Sequence, residues 1–205
     1  AIALQNEIAK DTIPPMPLDV VNAETQALIG YMLQQSLINE LNRRGIRRSV
    51  VAIVTQVVVR KDDPAFQNPA KFIGPYYDEN QAKKLMREKG WVIKKDPRGG
   101  WRRVVPSPEP IDVVEKEVIL NLLKQGIICI TVGGGGIPVV FENGYYRGVE
   151  AVIDKDLASS LVARIINADM LVILTDVEYV YINFGKSDQK PLKEITLEEA
   201  ERYYN

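Results

Sequence analysis

Apolar residues recur at helical spacing through Leu28, Ile29, Met32, Leu33, Leu37, Ile38 and Leu41. With Asn22 as N-cap, Glu24 in the first turn, and Arg43, Arg44 and Gly45 as stop signals, they predict one long amphipathic helix. The run SVVAIVTQVVV that follows is β-branched and lacks strict alternation, as expected of a strand covered on both faces in a parallel sheet. The order then repeats. Asp112 and Glu115 form a capping-box pattern ahead of the stripe Val114, Val118, Ile119, Leu122 and Leu123, which Gly126 ends before IICITV. A third unit runs from Asp156 through Leu157, Leu161, Val162, Ile165 and Ile166 to LVILT. Helices alternating with fully apolar strands predict an α/β protein, a three-layer α/β/α sandwich with a mainly parallel central sheet.

The rhythm stops between Lys61 and Pro108. KFIGPYY, a short helix capped by Asp78 with Gln81 and ended at Gly90, and WVIKKDPRGGWRRVV read as a small inserted subdomain over 61–108. Within it KKDPRGGW is expected to be a turn joining two strands. No internal repeat interrupts the pattern.

Composition narrows the chemistry. The 205 residues hold 46% hydrophobic side chains, enough for a packed core, and a net charge of −1 that offers no general attraction to nucleic acid or anionic membrane. Cys129 stands alone, which excludes an internal disulfide framework and fits a reducing compartment. The longest nearly apolar run, 126–141, is broken by glycines and a proline, so a cytoplasmic protein is expected. Histidine is absent, removing the usual base of serine and cysteine hydrolases and the commonest zinc ligand. Lysines, carboxylates and backbone amides remain. Ala1 opens in a helix-like stretch without methionine, and Asn205 follows directly on TLEEAERYY, so a fragment of a longer chain is expected.

Three loop clusters at strand ends draw attention. VGGGGIPVV puts four glycines after a buried strand, where amides can approach a phosphate, although a tight connection into a new strand explains the same pattern. No Gly-Lys-Ser/Thr follows, so it is not a P-loop. Asp154, Lys155 and Asp156 precede a helix whose N-terminal amides favour an anion; a solvated turn is the plainer alternative. Thr175 and Asp176 close LVILT at the strand edge where open α/β sheets bind ligands, or Asp176 is a simple cap. Lys61 and Lys71 lie in a loop that could be merely basic and exposed.

Long words of the sequence resemble the carbamate kinase family of the amino-acid-kinase superfamily. They are MPLDVV (16–21), IGYMLQQ (29–35), VTQVVV with KDDPAFQNPAKFIGPYY (54–77), GWRRVVPSP (100–108), GGGGIPV (133–139), GVEAVIDKDLAS (148–159) and ILTDVEYVYINFGK (173–186). The resemblance implies one amino-acid-kinase-like domain over 1–205, truncated at both ends, with 61–108 as its protruding subdomain, and a homodimer without nucleic-acid or membrane partners. It implies reversible phosphoryl transfer between ATP and carbamate, giving ADP and carbamoyl phosphate, with Mg2+, usually run toward ATP in arginine fermentation. A carbamate oxygen is already anionic, so the reaction needs no proton-removing base, only alignment and charge neutralisation.

Carried over by position, Lys155 bridges the transferring phosphoryl oxygens, and Asp156, with Asp154, orients lysines and metal-bound phosphates. Lys71 reaches in from the subdomain, Gly134 and Gly135 line the floor, and Thr175, Asp176, Val177 and Tyr181 bound the nucleotide; no residue is expected to form a protein metal site. The family's Gly-Gly-Asn and Gly-Asn-Gly-Pro turns would precede Ala1 and its Ser-Met-x-Pro-Lys segment would follow Asn205, so these 205 residues alone are expected to be feebly active. Thr25-Gln26-Ala27 stands where Ser/Thr-Gln-Gly is usual. Rival readings are a nucleotide-binding or assembly module without chemistry, RNA binding through Arg98–Arg103 with Trp101, and a sister enzyme such as acetylglutamate kinase.

Overall fold

Helix α1 (Leu18–Arg43) begins four residues before the expected Asn22, directly after Pro17. Pro17 lacks an N–H and its carbonyl accepts from Val21 N at 3.1 Å, so the first turn forms without a side-chain cap. Asn22 instead lies inside the helix and donates to the Ala151 carbonyl at 3.4 Å. The computed structural model describes residue 12 and residues 16–204; the helical opening expected at Ala1 lies outside them. Two units make up the chain, one ending at Leu171 and the other beginning at Val172.

The buried line of α1 is not the expected apolar stripe. Leu18, Val21, Gln26 and Gly30 are buried, whereas Leu28, Ile29, Met32 and Leu33 are exposed. Small and amide side chains explain the choice of face. A Cβ on Gly30 would lie 3.0 Å from Ala52 Cβ, and Gln34 Oε1 accepts from Ala52 N at 2.9 Å, so the helix lies close on the strand through residues that larger side chains would push away. Along this side runs a cleft of about 540 Å³, walled by α1 and by Ala52–Val54 and reaching Gly133 and Gly134.

SVVAIVTQVVV does not stay one strand. It breaks at Ile53–Thr55 into β1 (Val50–Ala52) and β2 (Gln56–Val59), which enter different sheets. β1 pairs in parallel with β7 (Ile128–Ile130), Val50 opposite Ile128. β2 lies between β6 (Pro110–Val113), antiparallel, and β8 (Ile137–Glu142), parallel; β9 (Tyr145–Gly148) extends the sheet antiparallel to β8. The parallel pairs among the described residues are therefore β1–β7 and β2–β8, fewer than a mainly parallel sheet requires. LVILT carries no ladder partner there, and Val172, Ile173 and Leu174 are exposed.

Between β2 and β6 the chain forms a separate three-stranded antiparallel sheet in the order β3 (Lys71–Tyr77), β5 (Trp101–Val105), β4 (Ile93–Lys95). Helix α2 (Glu79–Lys89) precedes β4 and has the full capping box: Asp78 accepts from Gln81 N at 2.8 Å and Gln81 Oε1 from Asp78 N at 3.1 Å. Gly90 ends it in the left-handed conformation, as the pattern predicts. Asp63 ties the two crossings together, its carboxylate accepting from Ala65 N at 2.8 Å and from Glu109 N at 3.0 Å.

Helix α3 (Lys116–Lys124) follows β6 without the expected Asp112–Glu115 box. Glu115 is drawn away, accepting from Gln56 N at 2.8 Å and Gln56 Nε2 at 2.9 Å, while Asp112 sits in β6 and pairs with Lys116 at 2.6 Å. Helix α4 (Lys155–Ile165) closes the first unit. Its core gathers Val57, Val59, Val113, Ile119, Val140, Ile153, Ala158 and Leu161; burying each such aliphatic side chain contributes about 1.5–3 kcal/mol before entropy is charged against it.

The second unit carries a short antiparallel pair, β10 (Val180–Ile182) with β11 (Lys190–Leu192), and helix α5 (Leu197–Tyr204). A capping box at Thr196 and Glu199 starts α5. Among the described residues no helix is long and apolar enough to cross a membrane.

Asp78→Ala removes the side-chain acceptor for Gln81 N while leaving the backbone N–H that donates to Gln81 Oε1, and should lower stability by about 1 kcal/mol, read as a shift of the urea midpoint at unchanged slope.

Candidate active site

The strand β7 leads into a loop rich in left-handed backbone. Val132 is left-handed at φ 46°, Gly133–Gly135 form one 3₁₀ turn, and Gly134, Gly135 and Gly136 all have positive φ. Two of these glycines are also pressed against other chain segments. A Cβ on Gly135 would collide with the Ile153 carbonyl, and one on Gly136 with the Val57 side chain, whereas Gly134 has open space in front of it. Sequence reading favoured a tight connection over an anion floor for this cluster. The geometry is a tight turn whose middle residue faces free volume.

Ile153 ends the segment that delivers the charged triplet, and Ala151 and Ile153 are fully buried. Asp154 caps α4, accepting from Asp156 N at 2.9 Å through Oδ1, while its Oδ2 receives Lys71 Nζ at 2.7 Å. Lys71 is the first residue of β3, 83 positions away in sequence, so the separate sheet contributes an ammonium to the N-terminus of α4. The Lys71 ammonium, together with the Asp156 amide, holds the Asp154 carboxyl below the usual carboxylate range, against the opposing effect of burial. Lys155 opens α4, and its ammonium donates to Asp156 Oδ1 at 2.8 Å. That contact raises the Lys155 pKa, and the side chain is 66% exposed, so a fully charged ammonium stands in reach of solvent-borne ligands.

A second carboxylate fastens the approach to this turn. Glu150 accepts from Leu18 N at 2.8 Å and from Arg103 Nη2 at 3.1 Å, joining α1 and β5 to the segment ahead of the triplet. Arg103 also lies 4.5 Å from the Trp91 ring, and Arg102 pairs with the buried Asp96 at 3.1 Å and stacks on Tyr76 at 5.0 Å. Both arginines are thus already paired with carboxylates and aromatic rings, which removes most of the basic patch that RNA would need. Among the described residues no three His, Cys, Asp or Glu side chains gather as a metal site.

The structure brings together Lys71, Asp154, Lys155, Asp156, Gly134 and Gly135. Thr175, Asp176, Val177 and Tyr181 belong to the second unit, where Thr175 Oγ1 donates to Asp176 Oδ1 at 3.4 Å and Tyr181 stacks with Tyr179 and Phe184. Asp176 caps no helix. Sequence reading gave Thr55 and Glu150 no role and met Gln26 only in the Thr25-Gln26-Ala27 departure; Gln26 and Thr55 are buried, Glu150 is exposed, and all three hydrogen-bond backbone groups. The signal for Gln26 and Thr55 is polarity inside otherwise apolar surroundings.

The profile of the amino acid kinase family matches residues 23–205, so the chain belongs to that family and has its α/β fold. It is similar to the carbamate kinase of Thermococcus kodakarensis, 56% identical over 192 residues that make up 94% of this chain and 61% of that protein. Carbamate kinase 1 of Enterococcus faecium is 51% identical over 203 residues, 98% of this chain and 64% of the relative. Among solved structures, carbamate kinase from Giardia lamblia bound to AMP-PNP superposes with a TM-score of 0.87 at 42% identity, covering 99% of this chain and 66% of that one. The chain therefore spans somewhat over three fifths of the length of the relatives it matches.

The two central glycines should respond differently to alanine. Gly134→Ala meets only the left-handed backbone cost of about 1–2 kcal/mol, while Gly135→Ala adds the clash with Ile153 and should lose clearly more; thermal unfolding of both variants ranks them. The Lys71–Asp154 pair should also show itself in acid. Because the folded Asp154 pKa is depressed, its stabilisation is complete above the unfolded value near 4 and disappears as pH falls through the lower folded value. The stability gap between the native chain and Lys71→Met, measured by urea unfolding, should be present at pH 7 and close on acidification.

Proposed function

We propose that this chain works in reversible phosphoryl transfer between ATP and carbamate, giving ADP and carbamoyl phosphate. The observation that carries the reading is the meeting of Lys71, Asp154, Lys155 and Asp156 at the N-terminus of α4, joined by backbone contact to the glycine turn. Similarity to carbamate kinases, one of them solved with AMP-PNP, supplies the nucleotide and the acceptor.

The physical problem is repulsion. Two unit negative charges 4 Å apart oppose each other by about 1 kcal/mol in water and about 4 at an effective dielectric of 20. Fixed ammonium groups and helix-terminal amides offset that cost without any proton transfer, which suits a chain with no histidine. In this reading Lys155 spans the oxygens of the migrating phosphoryl group. Asp156 aims Lys155 through their 2.8 Å contact, and Asp154 holds Lys71 beside it until an anion takes the carboxylate's place. Gly134 and Gly135 form the floor on which phosphate oxygens rest. Thr175, Asp176, Val177 and Tyr181 are assigned to the nucleotide.

Mg2+ would arrive with the nucleotide and reduce the charge of its phosphates. Two half-exposed carboxylates, Asp154 and Asp156, suit a metal that keeps most of its ligands as water and phosphate. Residues 61–108 are read as an inserted, protruding subdomain within a three-layer α/β/α sandwich. Support comes from the chain leaving β2 and returning in β6 as its antiparallel neighbour, with Asp63 fastening both crossings. The exposed apolar side chains of α1, Leu28, Ile29, Met32 and Leu33, support a homodimer.

Lys155→Ala in the full-length protein should lower ADP phosphorylation by carbamoyl phosphate by roughly 10²–10³-fold, the range for removing one fixed charge-stabilising donor. A rate within a factor of a few of the unmutated protein would sink the assignment.

A further inference from the structure

We infer that Gln26 is a positioning residue that sets both ends of the glycine turn through Thr55; the functional half of this inference rests on reading that turn as the phosphate floor. Thr55 lies in the break between β1 and β2 and is fully buried; its carbonyl meets Ile137 N at the start of β8, while its N–H lies outside the strand ladders. Buried peptide groups require partners. Gln26, itself 7% exposed, supplies two at once: its Oε1 accepts from Thr55 N at 3.0 Å and its Nε2 donates to Thr55 O at 3.1 Å. One side-chain amide thus stands where a peptide of an adjacent strand would stand.

Thr55 passes this constraint on. Its hydroxyl accepts from Val132 N at 3.1 Å and donates to Ile53 O at 2.8 Å, and its carbonyl also accepts from Ile137 N at 2.9 Å. Val132 and Ile137 are the residues on either side of Gly133–Gly136. Both feet of the turn therefore stand on Thr55, and Thr55 stands on α1. Gln26 touches the turn directly as well, since a Cβ on Gly133 would lie 3.4 Å from Gln26 Cγ. Glutamate at position 26 would keep the acceptor for Thr55 N, lose the donor, and set a carboxylate oxygen against the Thr55 carbonyl.

The test uses Gln26→Glu and Thr55→Val in the full-length protein, with Thr55→Ser to return the hydroxyl. Amide exchange of Val132 and Ile137 should speed up about tenfold in the first two variants, while Ile73 and Arg103 in the separate sheet keep their protection. Turnover per folded molecule at saturating carbamoyl phosphate and ADP should fall roughly 10- to 100-fold, the scale of an ångström-level misplacement, and Thr55→Ser should recover it relative to Thr55→Val. Unchanged exchange at Val132 and Ile137, or acceleration shared equally by Ile73 and Arg103, overturns the positioning role. Faster local exchange with undiminished turnover overturns its functional half. An unmutated protein that transfers no phosphoryl group refutes the kinase reading instead, and the exchange result still decides the role of Gln26.

Discussion

The contact between Gly135 and the carbonyl of Ile153 fixes everything else in the site. Neither segment can retreat. Ile153 and Ala151 are locked in the core with Val57 and Val113, and the glycine turn is bounded by a second close approach at Gly136. The distance from the turn to the first residues of α4 is therefore set by the packing of the core, not by the charged side chains at the start of α4. A substitution that adds one carbon at Gly135 acts on this distance before it acts on any ligand.

Chemistry is then layered on a rigid base. Backbone amides and the helix terminus supply partial positive charge at no cost in side-chain entropy, and the two lysines supply full charge from separate directions. Each lysine has a carboxylate partner, Asp154 for Lys71 and Asp156 for Lys155, so the cluster is close to electrically balanced. Polar groups that hold backbone carry as much of the design. Gln26 and Thr55 satisfy backbone atoms around the break between β1 and β2, and Glu150 takes the first N–H of α1.

Much of this was legible beforehand, and the failures share a cause. Local signals with a short reach held: the Asp78–Gln81 box, the Gly90 stop, the turn after Lys95, the new strand at Ile137 and the helix after the charged triplet. Signals that a distant residue can override did not. Glu115 left its capping role because Gln56 offered two donors, and Asn22 could not be an N-cap once Leu18 and Val21 found a core to enter. The stripe on α1 misled because its sheet-facing side is built from Gln26, Gly30 and Gln34, which no hydrophobic pattern reveals. LVILT has strand composition, but composition supplies only the capacity to pair. The charged triplet drew attention as a candidate site through its resemblance to carbamate kinases, and the helix expected after it is present. Its partner Lys71 sits on another sheet, a proximity that spacing along the chain does not encode.

The Lys71–Asp154 pair has a kinetic meaning. Ile73 and Val152 pack against Leu18, Val21 and Val105, so the strand bearing Lys71 is anchored and only the ammonium end of the side chain has freedom. With both members about one-third exposed, the bond between them is cheap to exchange. In the proposed reading, an arriving oxyanion replaces one counter-ion with another, and the lysine is never left bare. Its grip on a product is then the difference between two nearly matched pairings, an arrangement that favours quick release over tight retention.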